Sequence, residues 1–341
     1  MTKPKISICV ANYNGKDIII DCINSITHQE CNALIEIIIH DDASTDNSIE
    51  IINNRYPDVM LIQSKENVGY CISNNRMAEK ASGDYLLFLN NDATLHKNAL
   101  ETLLEHALKN KDTGILTLPQ YCKNTGKLLD KGMFIDIFSN PIPNKPRTSN
   151  EVATVMGACL WIRRSLWKEI GGFPEWFSSI AEDMLICCQA RLYGYTIKCC
   201  SNSGYNHLVG NSFSGGKLIN NKIKTNLTRR SLSEKNKTFV IILCYPLTTL
   251  LFILPLHLTL LTIEGIVLSL LSFNLKIFLE IYANVFKEII KQRRNLIEKR
   301  KSIQNNRKID SREYFRVYKL FPHKITLLLK HGLPSITNKS N

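Results

Sequence analysis

The chain has no G-x-G-x-x-G after its first apolar run, no zinc-type spacing in its cysteine pairs, and few acids between residues 287 and 319. Each shortage removes a class. Without the glycine-rich turn, a dinucleotide-dependent oxidoreductase is disfavoured. The start Met1-Thr2-Lys3-Pro4-Lys5 leads directly into an apolar strand and lacks the charged-then-apolar pattern of a secretory leader. The eleven cysteines are therefore expected to be reduced. Cys187-Cys188 and Cys199-Cys200 read as small buried hydrophobes rather than metal ligands.

What is present is unevenly distributed. The 341 residues suggest two to three domains, or one domain with a substantial appendage. The formal net charge is +13, and a dense basic run lies late, from Lys287 to Lys319. Beside an apolar segment such a stripe faces anionic lipid more readily than nucleic acid. No nucleic-acid partner is expected.

From residue 5 to about 115, strand and helix patterns alternate with short loops. Strands are read at Ile6–Ala11, Ile35–His40, Val59–Gln63 and Tyr85–Leu89. Helices are read at Asp17–Gln29, Asn47–Arg55, 72–81 and Asn98–Lys109. This α/β alternation argues for a parallel sheet covered on both faces. From about 115 to 215 the rhythm is irregular, with strands at 115–118 and 156–162, a short helix at 165–170 and a further helix at 182–193. Such a loop-rich half suits an acceptor site. The expected divisions are 1–115, 116–237 and 238–341.

Residues 239–273 contain one formal charge, Glu264, and are interrupted by Pro246 and Pro255. As one helix they would reach ~50 Å, too long for a ~30 Å hydrocarbon core. A hairpin around Pro255 in one leaflet, or two short spans, fits better than one straight span. The basic amphipathic stretch that follows supports membrane contact over an ordinary core helix pair.

Two of the apolar strands end in polar clusters: Asp41-Asp42-Ala43-Ser44-Thr45-Asp46 after the second, Asn90-Asn91-Asp92 after the fourth. The C-terminal mouth of an open α/β sheet is where such folds bind ligands. A carboxylate there suits a divalent cation on a diphosphate.

The motif order resembles glycosyltransferase family 2, with its GT-A (Rossmann-like) mixed sheet and helices on both faces. The residues that carry the resemblance are Val10 to Gly15, Asp41 to Asp46, Asn67-Val68-Gly69-Tyr70, Asn74-Asn75-Arg76, Gly83-Asp84-Tyr85 and Leu89 to Asp92. Gly157-Ala158-Cys159, Gly171-Gly172-Phe173, Glu182-Asp183, and His207 with Gly210 and Ser212 continue it. The match is strong over roughly 5–215. The tail is similar to that of bacterial rhamnosyltransferase-like members through Thr225-Asn226 and Lys235-Asn236.

The resemblance implies roles. Asp92 matches the last acid of the family's Asp-x-Asp motif, as a ligand to Mg2+ or Mn2+; its alternative is a helix N-cap before Ala93 to Leu100. Asn90 stands where many relatives carry the first Asp, and its amide can bind sugar or ribose hydroxyls. Asn12, Tyr13 and Asp41 lie where base and ribose are expected. Ser44, Thr45 and Asp46 are read as helix caps. Asn67 and Gly69 shape a turn, with Gly69 allowing close backbone approach. Asn75 joins the nucleotide-sugar set, and Arg76 is either a phosphate partner or an exposed helix arginine. Asp183 is implied as the base that takes the acceptor hydroxyl's proton, and Glu182 as its orienting neighbour or an acceptor contact; acids at a helix start are also ordinary dipole complements. Leu185 replaces a further acid present in many relatives. His207 is implied as a second metal or diphosphate ligand.

The expected activity is therefore inverting transfer from a nucleoside-diphosphate sugar to a lipid-linked glycan acceptor at the cytoplasmic membrane face. The alternative is a non-catalytic sugar-nucleotide-binding or scaffold protein on the membrane.

Overall fold

The computed structural model describes residues 3–145, 149–208, 217–219 and 222–337. They form two compact units, one from residues up to Met133 plus Pro143–Leu208, the other from Phe134–Ile142 plus described residues after Leu208.

The first unit begins with β1 (Lys5–Asn12), α1 (Ile19–Thr27), β2 (Leu34–Asp41), α2 (Ser48–Arg55), β3 (Met60–Gln63), α3 (Tyr70–Lys80) and β4 (Tyr85–Leu89). Then come β5 (Ala93–Leu95), α4 (Ala99–Lys109), β6 (Thr113–Thr117), β7 (Gln120–Cys122) and β8 (Leu128–Asp130). After β9 (Met133–Asp136) and β10 (Pro141–Pro143), the chain resumes with β11 (Cys159–Arg163), α5 (Arg164–Ile170), α6 (Glu182–Leu192), β12 (Thr196–Cys199) and β13 (Tyr205–His207). The elements read from sequence are present, with Tyr85–Leu89 unchanged and the other ends moved by at most three residues.

Seven strands form the main sheet in the order β12-β6-β11-β4-β1-β2-β3. The pairs among β1 to β4 are parallel, as the alternation predicts. β11 runs antiparallel to β4 and β6, which makes the sheet mixed. All five residues of β4 are buried, because helices cover both faces and leave no polar side for an alternating pattern. Phe88 packs against Trp167 at 4.5 Å on one face, while on the other Tyr85 stacks on Trp161 at 5.0 Å. Each such buried side chain contributes about 1.5–3 kcal/mol. That core holds the strand ends that carry the polar clusters.

A second sheet, β5-β13-β7-β8, stands beside the mouth of the first. Near the start of β2, Glu36 closes a polar knot: it pairs with Lys5 at 2.7 Å and accepts hydrogen bonds from Ser7 and from the Ser82 N–H and hydroxyl. Among the described residues no disulfide forms, and all cysteines except Cys31 and Cys122 are buried.

The second unit is helical. After β14 (Lys217–Ile219) and β15 (Lys222–Asn226) come α7 (Leu227–Cys244), α8 (Leu247–Leu271), α9 (Leu275–Ile277), a π-turn at Phe278–Ala283, α10 (Asn284–Lys291) and α11 (Arg293–Asn305). α12 (Ser311–Phe315), β16 (Tyr318–Lys319), α13 (His323–His331) and β17 (Ser335–Thr337) complete it. Asn226 caps α7 by accepting the Arg229 N–H at 2.8 Å. The expected hairpin around Pro255 is not formed: α8 is one 25-residue helix with Pro255 inside it. Phe239 to Cys244 belong to α7 and are largely buried. The break falls at Tyr245-Pro246, where Tyr245 is extended ahead of the proline.

Candidate active site

The C-terminal ends of β1, β2 and β4 lie side by side, because Asn12 pairs with Asp41 and Cys9 with Phe88 in register. Asn12 is the hub. Its amide donates to Asp41 Oδ2 at 2.9 Å, and its Oδ1 accepts from Asn91 at 2.9 Å. Asp41 is fully buried and also accepts from the Ser44 N–H and hydroxyl, at 2.9 and 2.7 Å. Ser44 thus closes the loop on Asp41 rather than capping α2. Thr45 is exposed, and its N–H donates to Asn14 Oδ1 at 2.8 Å. Asp46 does meet the helix start, accepting the Ser48 N–H at 3.0 Å.

Asp42, next to Asp41, receives the N–H groups of Val68 and Gly69 at 2.7 and 2.9 Å. This fixes the turn that starts α3. Gly69 has φ +86°, and a Cβ there would meet nothing within 4 Å. Its glycine is required by the left-handed backbone, and the space beside it is open. Asn67 is exposed beside this turn, and Tyr13 is 52% exposed at the mouth. Asn75 is committed elsewhere: its amide donates to the Phe173 carbonyl at 2.8 Å and accepts the Phe173 N–H at 3.0 Å. Arg76 donates to Ser64 at 2.7 Å, and the Ser64 N–H in turn donates to the Asp41 carbonyl at 2.9 Å, so Arg76 braces the end of β2.

Asp92 is not a helix cap. The next element is β5, and α4 begins only at Ala99 with Asn98 before it. β5 pairs antiparallel with β13, placing His207 opposite Ala93. That register brings His207 Nε2 to 3.0 Å from Asp92 Oδ1, both side chains nearly buried. Asn90 Nδ2 is 3.4 Å from the same ring nitrogen. Despite the short separation, Asp92 Oδ1 has no hydrogen-bond partner. Two ligands at right angles on one ion, each ~2.1 Å away, would be ~3 Å apart. The spacing of the pair therefore fits a shared Mg2+ or Mn2+. Among the described residues no cluster of three or more His, Cys, Asp or Glu side chains stands ready for a metal alone. Gly210 and Ser212 lie outside the described residues.

Glu182 and Asp183 open α6 after an unusual turn. Ser178, Ile180 and Ala181 all have φ between 65° and 71°, a region costly for residues with a Cβ. Asp183 Oδ2 accepts the Gly157 N–H at 2.8 Å, and Oδ1 the Met184 N–H at 2.7 Å. Burial still raises the Asp183 carboxyl above the ordinary range. Burial, then the neighbouring Asp183 charge, raises Glu182 well above it. Glu182 Oε2 is buried without a hydrogen-bond partner. The environments thus favour a proton on Glu182 and a basic carboxylate on Asp183.

The two acid sets are joined by two residues. The Asn90 N–H donates to the Ala158 carbonyl at 3.1 Å, while Gly157 holds Asp183. Tyr70 OH caps the other side, donating to the Gly157 carbonyl at 3.0 Å. Sequence reasoning missed Tyr70, Asn91 and Asp42 as framework residues. Their places at motif edges were visible, but their partners lie in distant segments. Asp130, in β8, is also buried, and its carboxyl is pushed up to about 6 by that burial.

Residues 7–171 match the family model described as glycosyl transferase family 2, just under half of the chain. The chain is 29% identical over 211 residues to a poly(ribitol-phosphate) beta-glucosyltransferase of Bacillus spizizenii, covering 60% of this chain and 32% of that protein. It is 26% identical over 197 residues to a poly-beta-1,6-N-acetyl-D-glucosamine synthase of Staphylococcus epidermidis, covering 57% and 47% respectively. The aligned stretches thus span about a third to a half of these relatives. The solved structure of GalNAc-T7 with UDP, GalNAc and Mn2+ superposes with a TM-score of 0.57 at 16% identity, covering 71% of this chain and 48% of that one. That likeness shows the fold, a GT-A-type mixed sheet flanked by helices.

Proposed function

We propose that the chain, through its glycosyl transferase family 2 domain, moves a sugar from a nucleoside diphosphate to a hydroxyl of a lipid-linked glycan in surface-polysaccharide synthesis. The observation that carries this reading is the Asn90–Ala158–Gly157–Asp183 link, which ties the diphosphate edge to a raised carboxylate.

Asn12, Tyr13 and Asp41 receive the base and ribose end of the donor, with Asn67 and Gly69 shaping that side and Asn75 bracing α3 behind it through Phe173. Asn90 meets donor hydroxyls. Asp92 and His207 would hold Mg2+ or Mn2+. Such an ion supplies positive charge against the diphosphate as it leaves. The acceptor oxygen attacks the anomeric carbon from the face opposite the diphosphate, the carbon–diphosphate oxygen bond breaks, and the acceptor proton passes to Asp183. Glu182, neutral, keeps that carboxylate oriented and basic. The configuration inverts.

The test is turnover of UDP-, dTDP- and GDP-sugars with Mg2+ or Mn2+ and lipid-linked acceptor. dTDP-rhamnose is the first donor to try, on the tail resemblance; UDP-glucose and UDP-N-acetylglucosamine follow from the relatives' names. Transfer that disappears in Asp183→Asn supports the reading, and full turnover by that variant removes the base. Asn90 and Leu185, which stand where relatives carry acids, favour the second reading, a sugar-nucleotide-binding protein at the membrane. It predicts donor binding without turnover.

A further inference from the structure

We propose that the helical unit docks flat on an anionic phospholipid leaflet, with the outer face of α8 sunk into that leaflet and no helix crossing it. This deepens the membrane-facing part of the function proposed above, and it rests on the helical unit's own residues.

α8 has the length and composition to cross a bilayer, with a mean hydropathy of 2.1. Its inner face is already engaged. Leu250, His257, Leu261, Gly265 and Leu268 are buried at spacings of one helix stripe. At Gly265 an added Cβ would lie 2.6 Å from the Tyr282 ring, so the π-turn packs directly on the α8 backbone. Glu264 pairs with Arg230 at 2.5 Å and with Lys324 at 2.7 Å, and both cations also reach the buried Glu234. Crossing would carry this charged cluster into hydrocarbon, where ionised side chains are strongly disfavoured. The packed face and the ion pairs require α8 to stay against its unit.

Among the described residues, the opposite face has no protein cover. Leu251, Phe252, Ile263 and Leu270 are more than half exposed, and Phe273 is 98% exposed. This surface extends beyond one helix. α13 borders α8 through the Lys324–Glu264 pair and leaves Leu329 81% exposed. On α10, Phe286 and Ile290 point outward one helical turn apart.

Charge complementarity selects the occupant. Lys287, Lys291, Arg293, Arg294 and Lys330 are exposed next to these apolar positions in sequence. The pattern of bulky apolar side chains interleaved with exposed cations, of which Lys291 also pairs with Glu288 at 3.6 Å, suits an interface of acyl chains and anionic headgroups, about 5–10 Å deep. A protein partner or second copy would have to match both the apolar face and these cations, and the experiment separates it from lipid.

The experiment uses the full chain, mixed with vesicles of phosphatidylcholine alone or with phosphatidylglycerol. Flotation with phosphatidylglycerol vesicles is expected at least tenfold above phosphatidylcholine alone, and 1 M salt is expected to reduce it. Depth is read from Leu251→Trp, Leu260→Trp and Leu270→Trp, using lipids brominated at different positions and subtracting the parent signal. Equal, shallow quenching at all three supports docking in the plane. Deep quenching confined to Leu260→Trp means a crossing helix and overturns the proposal. No vesicle binding, or a stable soluble dimer that shields the reporters from aqueous quencher, overturns it too. Leu251→Glu with Leu270→Glu is expected to lose flotation at least tenfold at an unchanged unfolding midpoint. Sugar-nucleotide turnover is measured separately, so failed docking and failed transfer are distinguishable.

Discussion

Asp92 Oδ1 lies 3.0 Å from His207 Nε2, and the contact exists because β5 and β13 pair in one register. That spacing fits two ligands of one ion, and Asp92 Oδ1 has no hydrogen-bond partner among the described residues. His207→Ala is expected to raise the Mn2+ concentration for half-maximal transfer by at least about 10–100-fold, the range found when a metal site loses a group that only supports a ligand. Asp92→Asn is expected to cost more, because it removes the pair's only negative charge. Metal titration of initial rates checks both.

Asp183→Asn is expected to lower kcat by about 10²–10⁴-fold, the usual span for a positioned base, with donor binding by calorimetry unchanged. Burial raises this carboxyl, so the rate should rise with pH through a limb above the ordinary carboxylate range. The limb should vanish in Asp183→Asn. Glu182→Gln should keep most activity, because the wild-type side chain is held neutral.

Gly157→Ala places a methyl 2.8 Å from Tyr70 OH and 3.6 Å from Asp183 Oδ2. We expect a loss of about 1–3 kcal/mol in stability and a lower kcat. Tyr70→Phe removes the clashing oxygen and leaves the next ring atom at 3.5 Å. The double variant should therefore recover stability beyond the sum of its parts. Urea unfolding of all four chains checks this.

Glu36 sets an acid-stability window. Burial alone would raise its carboxyl, but hydrogen bonds from Lys5, Ser7 and Ser82 bring it down to about 2. Its folded pKa lies below the unfolded value, so its contribution is present above about pH 4.5 and fades as pH falls toward 2. Glu36→Gln should flatten the urea midpoint across that window and lower it near neutrality.

The parallel core was legible because its strands are covered on both faces and read as unbroken apolar runs, as at Tyr85–Leu89. The polar strand ends were legible as Asp41-Asp42 and Asn90-Asn91-Asp92. What brings His207 onto Asp92 was not, since three-residue strands such as Ala93–Leu95 carry too little periodicity. Nor was the fate of residues 239–273. Hydropathy scores Phe239, packed inside its unit, as it scores Phe252, which faces outward. Pro255 sits mid-helix because the missing donor there breaks one bond of a helix held by its inner-face packing.

The two-residue bridge at Gly157-Ala158 also limits how the gene can change. One inserted or deleted codon between β11 and Met156 would shift the base by a strand step of ~3.3 Å, while productive geometry tolerates ~0.5 Å. Length variation among functional descendants should therefore avoid this point and accumulate in surface loops. A library of single-codon insertions scored for transfer would map that boundary directly.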